Sequence, residues 1–136
     1  MYEVIYFSQA GKTKRVAEAI AQELGAVAEN VKTKKEPSKD AFLFLGSGCY
    51  GGKPGKALLE FIQRNDFSGR EVALFGTSGG PEGTEITVME EALTGKGAQI
   101  TGKFWCQGKF LFMNRKHPDA ADLENARKFA REMKKG

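Results

Sequence analysis

The chain has 136 residues and a mass of 14.9 kDa, which fits one domain over residues 1–136. Its formal charge of +4 is too modest to indicate nucleic-acid binding, and no apolar run approaches the ~20 residues of a membrane helix. No export signal is visible, so we expect a cytoplasmic protein whose two cysteines, Cys49 and Cys106, are free thiols. Two cysteines and one histidine also disfavour a zinc site.

Strands and helices alternate along the predicted chain. Short apolar runs predict strands over residues 2–7, 26–32, 41–45, 72–75 and 100–106. Apolar residues at helical spacing follow every predicted strand except the second, and the last helix covers residues 118–135. This order predicts an α/β domain with a doubly wound parallel sheet and right-handed crossovers.

The connection between the second and third predicted strands is unusually short. It has about 8 residues, which reach roughly 26 Å when fully extended. That length returns the chain to the start of the next strand but leaves no room for a full helix. We therefore predict a loop or a single helical turn here, with one face of the sheet thinly covered.

Three loops follow the carboxyl ends of the first, third and fourth strands, over residues 8–13, 47–54 and 77–82. Ligands bind at this edge of open α/β sheets, which makes these loops the candidate site. All three are rich in Gly, Ser and Thr, and none supplies an acid–base pair. The pattern indicates a site that holds a ligand rather than one that hydrolyses a substrate with side chains.

The first loop runs from a strand directly into a helix. Its backbone amides and the helix dipole favour a phosphate group. Ser8 and Thr13 add hydroxyl donors, Gly11 allows close backbone approach, and Lys12 adds a positive charge. The alternative interpretation is an ordinary turn with a capping serine.

Several other phosphate-binding motifs do not match. A Walker A loop needs glycine where Tyr6 stands, and a phosphate-accepting receiver domain needs acidic residues where Ser8 and Ser47 stand. Neither Cys49 nor Cys106 is followed by the arginine of a Cys-x5-Arg phosphatase loop. The G-x-G-x-x-G dinucleotide motif is also absent after the first strand. These mismatches disfavour nucleotide hydrolysis.

The segment YFSQAGKT, residues 6–13, resembles the flavodoxin phosphate loop, usually written T/S-x-T-G-x-T. Ser8, Gly11 and Thr13 fit its spacing, whereas Ala10 lacks the hydroxyl and Lys12 replaces a common asparagine. Residues 46–52 and 75–80 are similar to the two flavodoxin loops that flank the flavin ring. Residues 104–110, followed by 117–118 and 122–126, are similar to a group of small flavodoxin-like proteins.

This resemblance implies a flavodoxin-like five-stranded sheet of order 2-1-3-4-5 that binds FMN at the strand ends. It places the phosphate on the first loop and the ring between the other two. Tyr50 is the candidate stacking aromatic, and Cys49 is either redox-active or an incidental buried thiol. The implied cofactor contacts are Ser8, Gln9, Ala10, Gly11, Lys12, Thr13, Ser47, Gly48, Cys49, Tyr50, Gly51, Gly52, Thr77, Ser78, Gly79 and Gly80.

The function implied by the resemblance is electron transfer through FMN to a partner oxidoreductase. Carriers of this family are usually strongly acidic, whereas the charge of +4 here favours acidic partners. We expect neither a nucleic-acid nor a membrane partner. Two alternatives stay open: a small FMN-dependent NAD(P)H or quinone reductase, and a flavin-free interaction module. The missing hydroxyl at Ala10 and the single aromatic keep the last of these open.

Overall fold

The computed structural model describes residues 1–34, 36–78, 83–107 and 118–135. Five strands and four helices lie in this part of the chain. The strands are β1 (Tyr2–Phe7), β2 (Ala28–Asn30), β3 (Phe42–Gly48), β4 (Glu71–Ser78) and β5 (Gln99–Gln107). The helices are α1 (Lys12–Leu24), α2 (Lys56–Arg64), α3 (Thr84–Thr94) and α4 (Ala120–Lys135). All strand pairs are parallel and the order is β2-β1-β3-β4-β5, so the predicted topology is confirmed.

Two strands continue beyond their predicted carboxyl ends. β3 extends to Gly48 and β4 to Ser78, because their glycine-containing segments still pair across the sheet. Gly46 pairs with Phe75, whose ring occupies the space where a side chain at position 46 would stand. As a result, the residues expected at the start of the second and third loops are strand residues, held in a fixed register.

The two faces of the sheet carry separate apolar cores. α2 and α3 cover one face, where Leu45, Leu74 and Phe61 are fully buried. α1 and α4 cover the other face, where Val4 and Phe44 are fully buried. The central strands are therefore apolar on both sides, as their unbroken hydrophobic sequences predict. This packing fixes the carboxyl edge on which the candidate loops stand.

The connection from β2 to β3 contains turns and no regular helix in its described residues, as predicted. It is fastened by Glu3 of β1, whose carboxylate accepts hydrogen bonds from the Ser38 amide at 2.8 Å and the Ser38 hydroxyl at 2.6 Å. Lys34 adds an ion pair with Glu3 at 3.1 Å. Burial raises the pKa of Glu3, but the bonds from Ser38 and Lys34 outweigh burial and hold the pKa below its usual value.

The sheet is thinly covered beside this connection. All three residues of β2 are only half-buried. A cavity of about 670 Å³ opens nearby, between Phe7, Lys32 and the start of α2.

None of the described helices is long and apolar enough to cross a bilayer.

Candidate functional site

The three candidate loops meet at the carboxyl edge of the sheet, and hydrogen bonds connect the first loop to the other two. The hydroxyls of Thr13 and Thr77 are 2.8 Å apart and buried. The Gln9 amide donates to the Tyr50 hydroxyl at 3.1 Å. The structure therefore brings Gln9 and Thr13 of the first loop into contact with Tyr50 of the second and Thr77 of the third.

The first loop leaves the amino end of α1 open toward this edge. Gly11 precedes the helix with a φ of 85°, a left-handed conformation that favours glycine, and no side chain caps the helix. The Ser8 hydroxyl accepts a hydrogen bond from the Gly11 amide at 3.0 Å. Gly11 lies ahead of the first helical residue, so Ser8 does not cap the amides of the first helical turn. The first-turn amides of a helix have no partner within it, and here they remain available to an anion.

Thr13 is less free than the sequence suggests. It is 1% exposed, and its hydroxyl is paired with that of Thr77. Each hydroxyl has one proton, so one of the two donates to the other and the second proton stays available. The pair therefore offers a single donor to a ligand, supplied jointly by the first loop and β4.

The second loop is shaped by its own hydrogen bonds. The Ser47 hydroxyl is fully buried, donates to the Gly48 carbonyl at 2.8 Å and accepts from the Gly55 amide at 2.9 Å. Gly51 and Gly52 have φ values of 63° and 81°, which form a tight turn between Tyr50 and Lys53. Ser47 thus closes the loop, and the glycine pair supplies its reversal.

Tyr50 lies over the end of β3 and faces the first loop. Its ring packs edge-on against Phe7, with centroids 5.7 Å apart and an interplanar angle of 84°. The absence of a side chain at Gly48 makes room for it, since a Cβ there would stand 2.6 Å from the Tyr50 hydroxyl oxygen. Burial raises the pKa of Tyr50 above its usual value. Stacking of this ring on a ligand stays a prediction.

The described part of the third loop belongs to β4. Thr77 and Ser78 are buried, and the Ser78 hydroxyl accepts from the Trp105 indole nitrogen at 2.8 Å. Gly79 and Gly80 lie outside the described residues. Among the described residues, no three metal-binding side chains come together.

Sequence reasoning missed one residue of this site, Glu85 in the first turn of α3. Its side chain is fully buried, and neither carboxyl oxygen has a hydrogen-bond partner among the described residues. The carboxyl covers Gly76 so closely that a Cβ at Gly76 would collide with it. Burial raises the pKa of Glu85 to about 7.

The sequence does contain a signal for this burial. An acidic residue in the first turn of a helix is usually exposed to solvent and interacts favourably with the helix dipole. Its position in the first turn therefore gives no indication that Glu85 is buried. Glu85 nevertheless stands four residues before Met89 and eight before Leu93, both fully buried. It therefore lies on the apolar stripe of α3.

Cys49 lies between the second loop and α3. The backbone amides of Gly52 and Glu85 hydrogen-bond its sulfur, while burial and the nearby Glu85 carboxyl raise its pKa. A thiol with a raised pKa is weakly nucleophilic, which favours the interpretation of Cys49 as an incidental thiol, although it is half-buried rather than buried.

The comparisons with known proteins agree with this architecture. A family model described as a flavodoxin domain matches residues 3–112. The chain belongs to the flavodoxin domain family. An uncharacterized protein of Methanocaldococcus jannaschii is 28% identical over 135 residues, covering 90% of each chain.

Solved flavodoxins share the fold. Oxidised flavodoxin 1 from Bacillus cereus superposes with a TM-score of 0.76 at 20% identity, covering 99% of this chain and 98% of that one. A flavodoxin from the domain Archaea gives a TM-score of 0.78 at 17% identity, covering 98% and 96%. The flavodiiron core of Flv1 from Synechocystis sp. PCC6803 matches over 36% of its own length, with a TM-score of 0.72 and 19% identity.

The residues present fit the flavin cofactor that this flavodoxin family implies. The uncapped amino end of α1 suits a phosphate ester, and the Thr13–Thr77 pair leaves a proton available beside it. The buried Glu85 carboxyl, without a protein partner among the described residues, suits the polar edge of a heterocycle. The site thus has features for both ends of a phosphorylated flat ring.

Proposed function

We propose that this flavodoxin domain binds FMN and transfers electrons to a partner oxidoreductase. One observation carries the proposal: the uncapped amino end of α1 is joined by hydrogen bonds to both other candidate loops. The Gln9–Tyr50 and Thr13–Thr77 contacts provide these connections. An anion-binding helix end is thereby fixed beside two glycine-containing segments.

The proposed contacts divide between the two ends of the cofactor. Residues 8–13 would hold the phosphate, and residues 47–52 and 77–80 would flank the ring. When bound, FMN supplies the redox chemistry, and the protein contributes binding, orientation and electrostatics. This division agrees with the absence of an acid–base pair in the three loops.

Tyr50 competes with a phosphate for part of the first loop. Its hydroxyl accepts the hydrogen of the Gln9 amide, so this amide serves a phosphate only when the phenol gives it up. The Tyr50 hydroxyl therefore reduces the free energy that the Gln9 amide can contribute to FMN binding. A Tyr50→Phe variant separates this contact from the packing of the ring against Phe7.

The charge around the site favours an acidic redox partner. Three lysines, Lys32, Lys53 and Lys56, line the 670 Å³ cavity beside Tyr50, together with the single acidic residue Glu60. With a formal charge of +4 on the whole chain, this edge attracts acidic surfaces and repels basic ones. Association with such a partner is expected to weaken as salt concentration rises.

A second candidate function is reduction of a small acceptor, such as a quinone. The same cavity favours it, because about 670 Å³ lies within the usual range of small-molecule pockets. Phe7 and Tyr50 provide aromatic walls there. NAD(P)H turnover without any partner protein would support this reductase over the electron carrier.

The visible spectrum of the purified protein after FMN addition tests cofactor binding. A perturbed flavin spectrum with quenched fluorescence is the expected result, and an unchanged spectrum would refute the proposal. A redox titration of the loaded protein then tests the carrier role. Two resolved one-electron steps support a carrier, whereas rapid partner-free turnover of NAD(P)H supports the reductase.

A further inference from the structure

Glu85 lies between Cys49 of the second loop and Gly76 of β4. Its backbone amide hydrogen-bonds the Cys49 sulfur of the second loop. Its carboxyl covers Gly76, the residue that precedes the Thr77–Ser78 end of β4. The register places Gly76 between Ser47 of β3 and Trp105 of β5. The carboxyl therefore stands beneath the strand ends from which the second and third loops leave.

Folding alone does not account for a carboxyl at this position. Glu85 is fully buried, and its oxygens have no hydrogen-bond partner in the described structure. An unpartnered buried polar group destabilises a protein, and an apolar residue of similar size would avoid that penalty. A buried titratable group under these conditions, next to a candidate binding site, is a candidate for a functional role.

Among the described residues, few titratable groups face Glu85. The thiols of Cys49, from the second loop, and Cys106, from β5, interact with it, and burial raises the pKa of both, that of Cys106 to about 12. Lys103 of β5 and Glu90 of α3 form an ion pair with each other at 3.0 Å. Burial is the cause that raises the pKa of Glu85, and no charged group in the described residues offsets it.

We propose that Glu85 is the proton-accepting group of the ring cleft, which takes up a proton when negative charge enters the cleft. This inference rests on the proposed function, because a bound flavin is the group that would bring the charge. One electron would pass from an external reductant to the bound flavin, and one proton would come from a hydronium ion of the solvent, whose O–H bond breaks. The proton forms an O–H bond with a Glu85 carboxylate oxygen, and no bond in the protein breaks.

The position of the Glu85 carboxyl couples its protonation to the reduction of the bound flavin. When Glu85 is ionised, its charge opposes the entry of a second negative charge into the same cleft. When Glu85 is protonated, this opposition is absent. Reduction therefore favours the protonated form, and the reduction potential becomes dependent on pH wherever Glu85 starts out ionised.

The test is the reduction potential of the FMN-loaded protein between about pH 6 and about pH 9. The wild type is compared with Glu85→Gln, which removes the ionisable group and keeps its shape. Glu91→Gln is the matched control, because Glu91 is an exposed carboxylate on the same helix. Glu85→Met serves as a second variant of similar length, in case the glutamine variant does not fold.

The expected potentials of wild type and Glu85→Gln coincide at the acidic end and separate as pH rises, with the wild type lower. Glu91→Gln is expected to follow the wild type. Identical pH courses for wild type and Glu85→Gln would overturn the inference while leaving FMN binding intact. A wild type that fails to bind FMN would overturn both this inference and the proposed function.

Discussion

Replacing Glu85 by glutamine should make the protein more stable relative to the wild type as pH rises, even without FMN. The pKa of Glu85 is raised from 4.5 to about 7 in the folded protein, because burial disfavours its charged form. Between these values the folded state binds more protons than the unfolded state, so wild-type stability falls with rising pH. Above about pH 7 both states are ionised, and the penalty is constant.

The size of the effect follows from the two pKa values. A tenfold change in proton affinity corresponds to about 1.4 kcal/mol, so the difference between 4.5 and about 7 amounts to about 3 kcal/mol. Glutamine cannot ionise, so its variant lacks this dependence. Relative to Glu85→Gln, the wild type should therefore lose up to about 3 kcal/mol of unfolding free energy between these pH values.

Urea denaturation at a series of pH values, from about 4.5 to about 8, measures the two free energies of unfolding. Glu91→Gln is the control again, since an exposed carboxylate should leave the pH dependence close to that of the wild type. A constant difference between wild type and Glu85→Gln across this range would show that the carboxyl keeps an ordinary pKa. That result would refute the burial argument.

Two further predictions concern side-chain hydrogen bonds. Tyr50→Phe releases the Gln9 amide, so FMN should bind about two- to tenfold more tightly, a gain that corresponds to one net hydrogen bond. A fluorescence titration measures the affinity, and unchanged or weaker binding would contradict the proposed competition between Tyr50 and the phosphate. Glu3→Gln weakens the anchor of the β2–β3 connection at Ser38 and should lower stability by about 1 kcal/mol or more. Because bonds from Ser38 and Lys34 hold the pKa of Glu3 below 4.5, its contribution is present above that pH and lost as pH falls through the folded-state value. Urea denaturation of both proteins at neutral and acidic pH checks this, and an equal difference at both would refute it.

The parallel, doubly wound sheet could be predicted because strand and helix periods alternate clearly and the short second connection is visible in the sequence. The strand order followed from the resemblance to flavodoxins. The predicted carboxyl ends of β3 and β4 were wrong, because Gly46, Ser47 and Gly76 have weak strand propensity. These residues extend the strands only because they pair across the sheet, Gly46 with Phe75 and Ser47 with Gly76. That pairing is a property of the assembled sheet.

The site was predicted at the level of loops rather than contacts. Ser8 and Thr77 were recognisable as polar residues at strand ends, and Thr13 as a polar residue at the start of a helix. Their partners depend on distances between loops that are separate in sequence, such as the Thr13–Thr77 pair. Glu85 could not be predicted as buried, because a glutamate is normally exposed. Its position on the apolar stripe of α3 is a weaker signal than its charge when only the sequence is considered.

The most direct test of the proposed site compares FMN affinity in two charge variants, Gly11→Asp and Gly69→Asp. Both glycines have positive φ, 85° and 69°, with open space where a Cβ would stand. Backbone strain and added charge are thus matched, but Gly69 lies before β4, at the opposite edge of the sheet. A charge about 4 Å from a phosphate near a protein surface costs about 4 kcal/mol. Gly11→Asp should therefore weaken FMN binding at least about 100-fold, while Gly69→Asp should leave the affinity near the wild-type value. Equal affinities for the two variants would contradict the placement of the phosphate on the first loop.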